Sequence, residues 1–301
     1  MAPWMAAAGA AGLLSALLYT VPLLNVLAQL PLFASGLSSG PVAAGGGALL
    51  GTVLLLAVGG VLPAAMFLGF MGLPVAVVSA LATGGPPDER PDGRRLGGML
   101  AAVAGLGTAA FLAFAAWAAT GDGVAATVRS FRATVELVPA GSDERRKAMV
   151  EAQAAYLPAF MLGLWTLLVA INGALGQAAV TRLGRALRAT PPYSAVRLPD
   201  AYDWAPVAAM AVALAAGGDL GYTARNAALV LLVPHFLQGL AVAHVWARRL
   251  PSPGAILGVF YVTVLLLSVL GLAAVTVLGF IETRAGLREQ AGGPGGSQGE
   301  A

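Results

Sequence analysis

His235 and Gln238 stand three residues apart inside an otherwise apolar run, "NAALVLLVPHFLQGLAVAHVWA" (226–247). Side chains at i and i+3 of a helix share a face, so an imidazole and a carboxamide project together. Pro234, just before them, removes a backbone donor and loosens that turn. Asn226 opens the same run beside Arg225, and Asn172 sits deep in an earlier run, 154–180, with Gln177 nearer its end. A neutral imidazole donates one hydrogen bond and accepts another, and a carboxamide does both. Asn172, Asn226, His235 and Gln238 therefore suit a pocket that holds a small polar molecule. They suit equally well the hydrogen bonds that join helices in a bundle, worth typically under about 1 kcal/mol per pair. His244 lies nine residues beyond His235, about half a turn round the helix, and belongs to a different face.

Bond-breaking chemistry has little to stand on. The chain carries no HExxH, no GxSxG elbow, no phosphate-binding loop and no paired carboxylates inside an apolar run. With no cysteine there is no thiol nucleophile, disulfide or cysteine metal site. Asp200 and Asp203, in "LPDAYDW", flank the start of an apolar run beside Tyr202 and Trp204. Helix N-capping at a membrane interface accounts for both acids. Asp219, in "GGDLGY", reads as a loop residue, which leaves no acid in the middle of a span for ion-driven transport. The expectation is no enzyme, no cofactor and no metal.

The elements that must position these residues are set by composition. Of 301 residues, 58% are hydrophobic and 10% charged, against about 25% charged in a soluble domain. Mean hydropathy is +0.81. Apolar runs occupy 5–21, 41–60, 61–83, 96–120, 154–180, 203–218, 226–247 and 255–281, with 24–39 as a further short candidate. Several reach the 18 residues that mark a membrane-crossing helix. The expected fold is all-α: a polytopic transmembrane bundle of eight or nine helices, forming one domain over 1–290. The Gly/Ser-rich tail 291–301 reads as disordered. A net charge of +3, scattered along the chain, gives no nucleic-acid surface. Abundant Ala, Gly and Arg, with Lys147 the only lysine, point to a GC-rich bacterial genome and hence to the inner membrane. The N-terminus lacks the basic start of a secretory signal and reads as part of the first helix.

Segment 121–152 is the sizeable hydrophilic stretch between spans. Val124, Val128, Phe131 and Val135 recur at helical spacing, with Arg129, Arg132 and Glu136 elsewhere on the helix. "GSDERRKAMVEAQ" has the form of a second helix start, with Ser142 as N-cap and Asp143 and Glu144 in the first turn. An amphipathic helix packed at the interface is preferred here over a lid or docking element. Arginine clusters at 94–95, 182–188 and 248–249 share one face if there are nine spans, but Arg284 and Arg288 then fall on the other.

Glycine and proline punctuate the apolar stretch 30–50. Gly36-xxx-Gly40 and Gly47-xxx-Gly51 have the spacing at which membrane helices approach closely, and Gly40-Pro41 is a natural break. "LPLFASGLSSGPVAAGGG" (30–47) resembles the glycine-proline turn, followed by small residues, of substrate-capture subunits of energy-coupling-factor vitamin transporters. "FLQGLAVAH" (236–244) and "LGFIETRAGLR" (278–288) resemble the YybS-like family of multi-pass bacterial membrane proteins, a family defined as a domain of unknown function. That likeness, over roughly residues 6–289, implies a capture-subunit-like fold and carries no reaction or ligand. Two functions follow as expectations. One is uptake or export of a small-molecule ligand. The other is a non-transporting scaffold or assembly factor for the cell envelope that holds a membrane protein partner. The lipid bilayer is the surrounding partner in either case.

Overall fold

A computed structural model describes residues 3–85, 92–135 and 152–290. Within them every regular element is helical. Among the described residues five helices are long and apolar enough to cross a membrane: Pro41–Gly59, Val61–Thr83, Gly93–Ala118, Leu157–Arg182 and Gly218–Ala247. The chain divides into two compact units, Met1–Val103 with Thr166–Leu198, and Ala104–Trp165 with Pro199–Ala301. Two of the three changes of unit, after 103 and after 165, fall inside continuous helices where no linker composition marks them, and the third falls in the loop before Asp200.

The first unit contains α1 (Pro3–Thr20), a 3-10 turn (Asn25–Leu27), α2 (Leu30–Ser39), α3 (Pro41–Gly59) and α4 (Val61–Thr83). It also holds the start of α5 (Gly93–Ala118) and the end of α7 (Leu157–Arg182). Helices α1 and α3 meet through small residues. A Cβ added to Gly12 would stand 2.5 Å from the Gly47 carbonyl oxygen, and one on Gly51 would stand 3.1 Å from the Gly12 carbonyl oxygen and 2.7 Å from the Phe67 ring of α4. A Cβ on Gly36 would stand 2.8 Å from Ser79 Cβ and 2.9 Å from Ala44 Cβ, so α2 lies against both α3 and α4 there.

Gly40 departs from the packing role expected of it. No atom lies within 4 Å of where its Cβ would be, and its φ is +93°. Its N–H closes α2 on the Gly36 carbonyl at 2.9 Å, and Pro41 starts α3. Its role is conformational, because a left-handed residue must end one helix before proline can begin the next. Gly60, at φ +84°, separates α3 from α4 in the same way. Lower in α4 a π-helical turn occupies Leu68–Gly72. Pro74 has no N–H for the Phe70 carbonyl four residues earlier, and Gln29 Nε2 donates to that oxygen at 2.9 Å.

The second unit holds the end of α5, α6 (Val124–Val135), the start of α7, and a 3-10 turn (Asp200–Asp203). It continues through α8 (Trp204–Ala215), α9 (Gly218–Ala247), α10 (Pro253–Leu267), α11 (Val269–Ala285) and α12 (Leu287–Gln290). Val124 and Val128 of α6 are buried against Phe111, Ala115 and Ala118 of α5, so this amphipathic helix buries its apolar face at its start. The Phe131 and Val135 side chains, the proposed helix start at Ser142 and the tail 291–301 lie outside the described residues. Helices α9 and α11 touch backbone to backbone. A Cβ on Gly279 would fall on the His235 carbonyl oxygen, and one on Gly239 on that of Val275.

Three expected spans are corrected. The 203–218 run makes only the 12 residues of α8, about 18 Å long at 1.5 Å per residue. The 226–247 run extends back to Gly218, so Asp219 is helical and Asn226 lies two turns inside α9. The 255–281 run is two helices, broken at Ser268 with φ +51°. A Cβ on Gly271 would stand 2.5 Å from the Val264 carbonyl oxygen, so the chain folds back there. Arg249, just after α9, donates to the Arg288 carbonyl at 3.4 Å, just after α11. The chain thus leaves both helices at one end of the unit, and the expected opposite placement of Arg284 and Arg288 disappears. A leucine-rich run gave no warning, because hydropathy does not distinguish one crossing from two shorter legs.

Cysteines placed at Arg249 and Leu287 should label from the same side of the membrane in a chain with no native thiol; reaction from opposite sides would restore a single crossing. Gly279→Leu should cost about 3 kcal/mol, since overpacking against a backbone cannot be relieved by a rotamer change. Thermal melting in detergent checks it, and a melting temperature equal to the parent's would mean that α9 and α11 do not meet there.

Candidate functional site

The four polar residues singled out in the sequence divide between the two units, three of them on α9. Asn172 belongs to the first unit. Its Nδ2 donates to the Val26 carbonyl at 2.8 Å and to Leu168 at 2.9 Å, satisfying an oxygen at the 3-10 turn before α2. The other three are on α9, and each has its own partners. Asn226 Oδ1 accepts from the Ala159 N–H at 3.1 Å, and its Nδ2 donates to the Ala155 and Tyr222 carbonyls at 3.0 Å each. The start of α7 has backbone donors with no helical partner, and Asn226 Oδ1 accepts from one of them. Gln238 Nε2 donates to the Gly279 carbonyl and to Thr283 Oγ1, both at 2.8 Å. Those bonds tie α9 to α11 beside the glycine contact.

Around Asn226 the same clasp continues. Tyr222 donates its O–H to the Ala154 carbonyl at 2.9 Å, and the Arg225 guanidinium lies 5.0 Å from the Tyr156 ring centroid and 5.6 Å from that of Tyr222. One turn earlier, Asp219 accepts from the Val124 and Ala125 N–H groups at 3.2 and 3.1 Å, capping the start of α6 from α9. A carboxylate at a helix start gains from the positive end of the helix dipole.

His235 is different, because its partner is charged. Its Nε2 lies 2.9 Å from Asp203 Oδ1, and both side chains are 0% exposed. Asp203 Oδ2 accepts from Arg284 Nε at 2.9 Å, and Arg284 is 53% exposed. A carboxylate accepts only, so the imidazole carries its proton on Nε2 and donates. His235 Nδ1 is buried and has no hydrogen-bond partner among the described residues. The ring lies between Tyr202, stacked at 5.4 Å and 26°, and Phe280 at 5.2 Å. Tyr202 donates its O–H to the Leu231 carbonyl at 2.9 Å, in the turn that Pro234 loosens. Burial holds that phenol above the usual tyrosine range, so it stays a neutral donor. Arg284 completes the group by lying 5.4 Å from the Trp204 ring centroid.

Asp203 overturns the expectation of an N-cap. It occupies the N-cap position of α8 but makes no capping hydrogen bond, because both oxygens are held by His235 and Arg284. It also supplies the buried acid that the apolar runs lacked. Sequence inspection missed it because the partners are 32 and 81 residues away, and because "LPDAYDW" reads locally as a loop entering a helix. Glu282 was missed as well. It is 4% exposed and accepts from Arg288 Nε at 2.7 Å and from the Arg288 N–H at 3.2 Å. Arginines 284 and 288 are therefore internal partners of acids and poor markers of membrane side. No group of three or more metal-ligating side chains occurs among the described residues.

The family model described as a predicted membrane protein (DUF2232) matches residues 10–283, and the chain belongs to that family. No curated protein and no solved structure matches the chain.

Removing one partner of a buried carboxylate leaves its oxygen unsatisfied, at a cost of about 2 kcal/mol. His235→Leu should therefore lower stability by about that amount, although leucine is the more apolar residue. Unfolding monitored in mixed micelles measures it, and a variant as stable as the parent would show that the Asp203–His235 bond contributes nothing to the fold.

Proposed function

We propose, taking the chain's membership of that membrane-protein family as the premise, that this protein is a small-molecule carrier of the bacterial inner membrane with no reaction of its own. The observation that carries the reading is Asp203, a fully buried carboxylate held by a fully buried imidazole and a half-exposed guanidinium. Ionisable groups within membrane bundles are costly and are the default candidates for a ligand or ion path. Breaks inside apolar segments, at Gly40-Pro41 and Ser268, add support, since discontinuous helices commonly border binding sites in transporters. The likeness of 30–47 to the turn of energy-coupling-factor capture subunits points the same way. His235 stays in the proposed site and is joined by Asp203 and Arg284. Asn172, Asn226 and Gln238 belong to the scaffold.

The internal commitment of those three amides favours a second reading, a non-transporting scaffold or assembly factor that holds a membrane protein partner. Purification with native lipids and metabolites, followed by mass spectrometry of wild type and Asp203→Asn, separates the two. A stoichiometric small molecule retained by the parent and lost at least about ten-fold by the variant is expected. A reproducible protein partner with no small molecule would overturn the carrier reading.

A further inference from the structure

Arg284 is the member of the buried centre that reaches the surface. Its Nε–H is committed to Asp203 Oδ2 at 2.9 Å, and the guanidinium lies 5.4 Å from the indole centroid of Trp204, itself 63% exposed. One contact holds an edge of the guanidinium and the other holds its face. A guanidinium has five N–H donors, so four remain on Nη1 and Nη2. Among the described residues no group bonds them. An arginine that merely snorkels to the interface keeps a flexible arm. This arm is fastened to a carboxylate that is itself fastened to His235, so its Nη edge is set before any ligand arrives. Such pre-organisation lowers the cost of binding, and two parallel N–H donors match two oxygens of one planar or tetrahedral anion. A cation would be repelled, and an apolar ligand would leave the donors unpaired.

We infer that the ligand presents an oxyanionic group, carboxylate or phosphate, and that Arg284 takes it on the Nη edge beside Trp204. The inference rests on the carrier reading only in treating that ligand as cargo, because a lipid phosphate offers the same chemistry. Full-length protein in phosphatidylcholine nanodiscs is melted with inorganic phosphate or acetate added, and separately in nanodiscs containing phosphatidylglycerol. The melting temperature should rise in at least one arm. Arg284→Lys keeps a positive charge opposite Asp203 but lacks the paired donors, and should weaken the response about ten-fold while the unliganded melting temperature holds. If that variant fails to fold, Trp204→Leu decides, with a weaker response expected from a full-length, folded protein. A response to the soluble anions supports both the oxyanion site and its use for cargo. A response confined to phosphatidylglycerol supports the oxyanion site and removes Arg284 from any cargo path. No response in either arm, or an unchanged response in the folded variants, overturns the inference.

Discussion

Inside a bilayer no water competes for hydrogen bonds, so each carbonyl freed by a helix break and each polar side chain within a span must be satisfied by the protein. Much of this structure follows from that demand. Pro74 leaves the Phe70 carbonyl without its helical donor, and Gln29 supplies one. The 3-10 turn before α2 exposes the Val26 carbonyl, and Asn172 meets it. The start of α7 leaves the Ala159 N–H unpaired, and Asn226 accepts from it while donating to Ala155. Polar residues that look like a binding set in one dimension are mostly answers to breaks in the backbone.

Close packing depends on the same medium. Lipid tails are as apolar as leucine, so helices gain little by hiding oily side chains from them and associate through close contact of small residues. Gly239 and Gly279 let α9 and α11 approach until backbone meets backbone, and Gly12, Gly47 and Gly51 do so for α1 and α3. The glycine contact brings α11 near enough for Gln238 to reach Gly279 and Thr283, and it sets Phe280 against His235. Packing and polar satisfaction therefore support each other in the second unit.

Against that background the Asp203–His235–Arg284 group stands apart. Asn172, Asn226 and Gln238 repair backbone or join helices with neutral groups. Asp203 instead brings a charge into the interior, where pairing seldom recovers the full cost of desolvation. Capping α8 would not require a carboxylate so enclosed, and Asp203 makes no capping bond there. Its connection through Arg284 to an exposed guanidinium edge is what makes it a candidate for function beyond stability.

The linear chain revealed the medium, the helical class and the break at Gly40-Pro41, because hydropathy and backbone restriction are local properties. It also showed which side chains were out of place in an apolar run. What those side chains do emerged from contacts made in three dimensions. Gly40 proved conformational while Gly36, Gly47 and Gly51 face close neighbours. One leucine-rich run became two helices at Ser268, and Asp203 moved from presumed cap to buried partner. The glycine contacts and the pairing of Asp203 depend on atoms distant in the chain, and a hydrogen bond or a steric contact has no signature in the composition around either end.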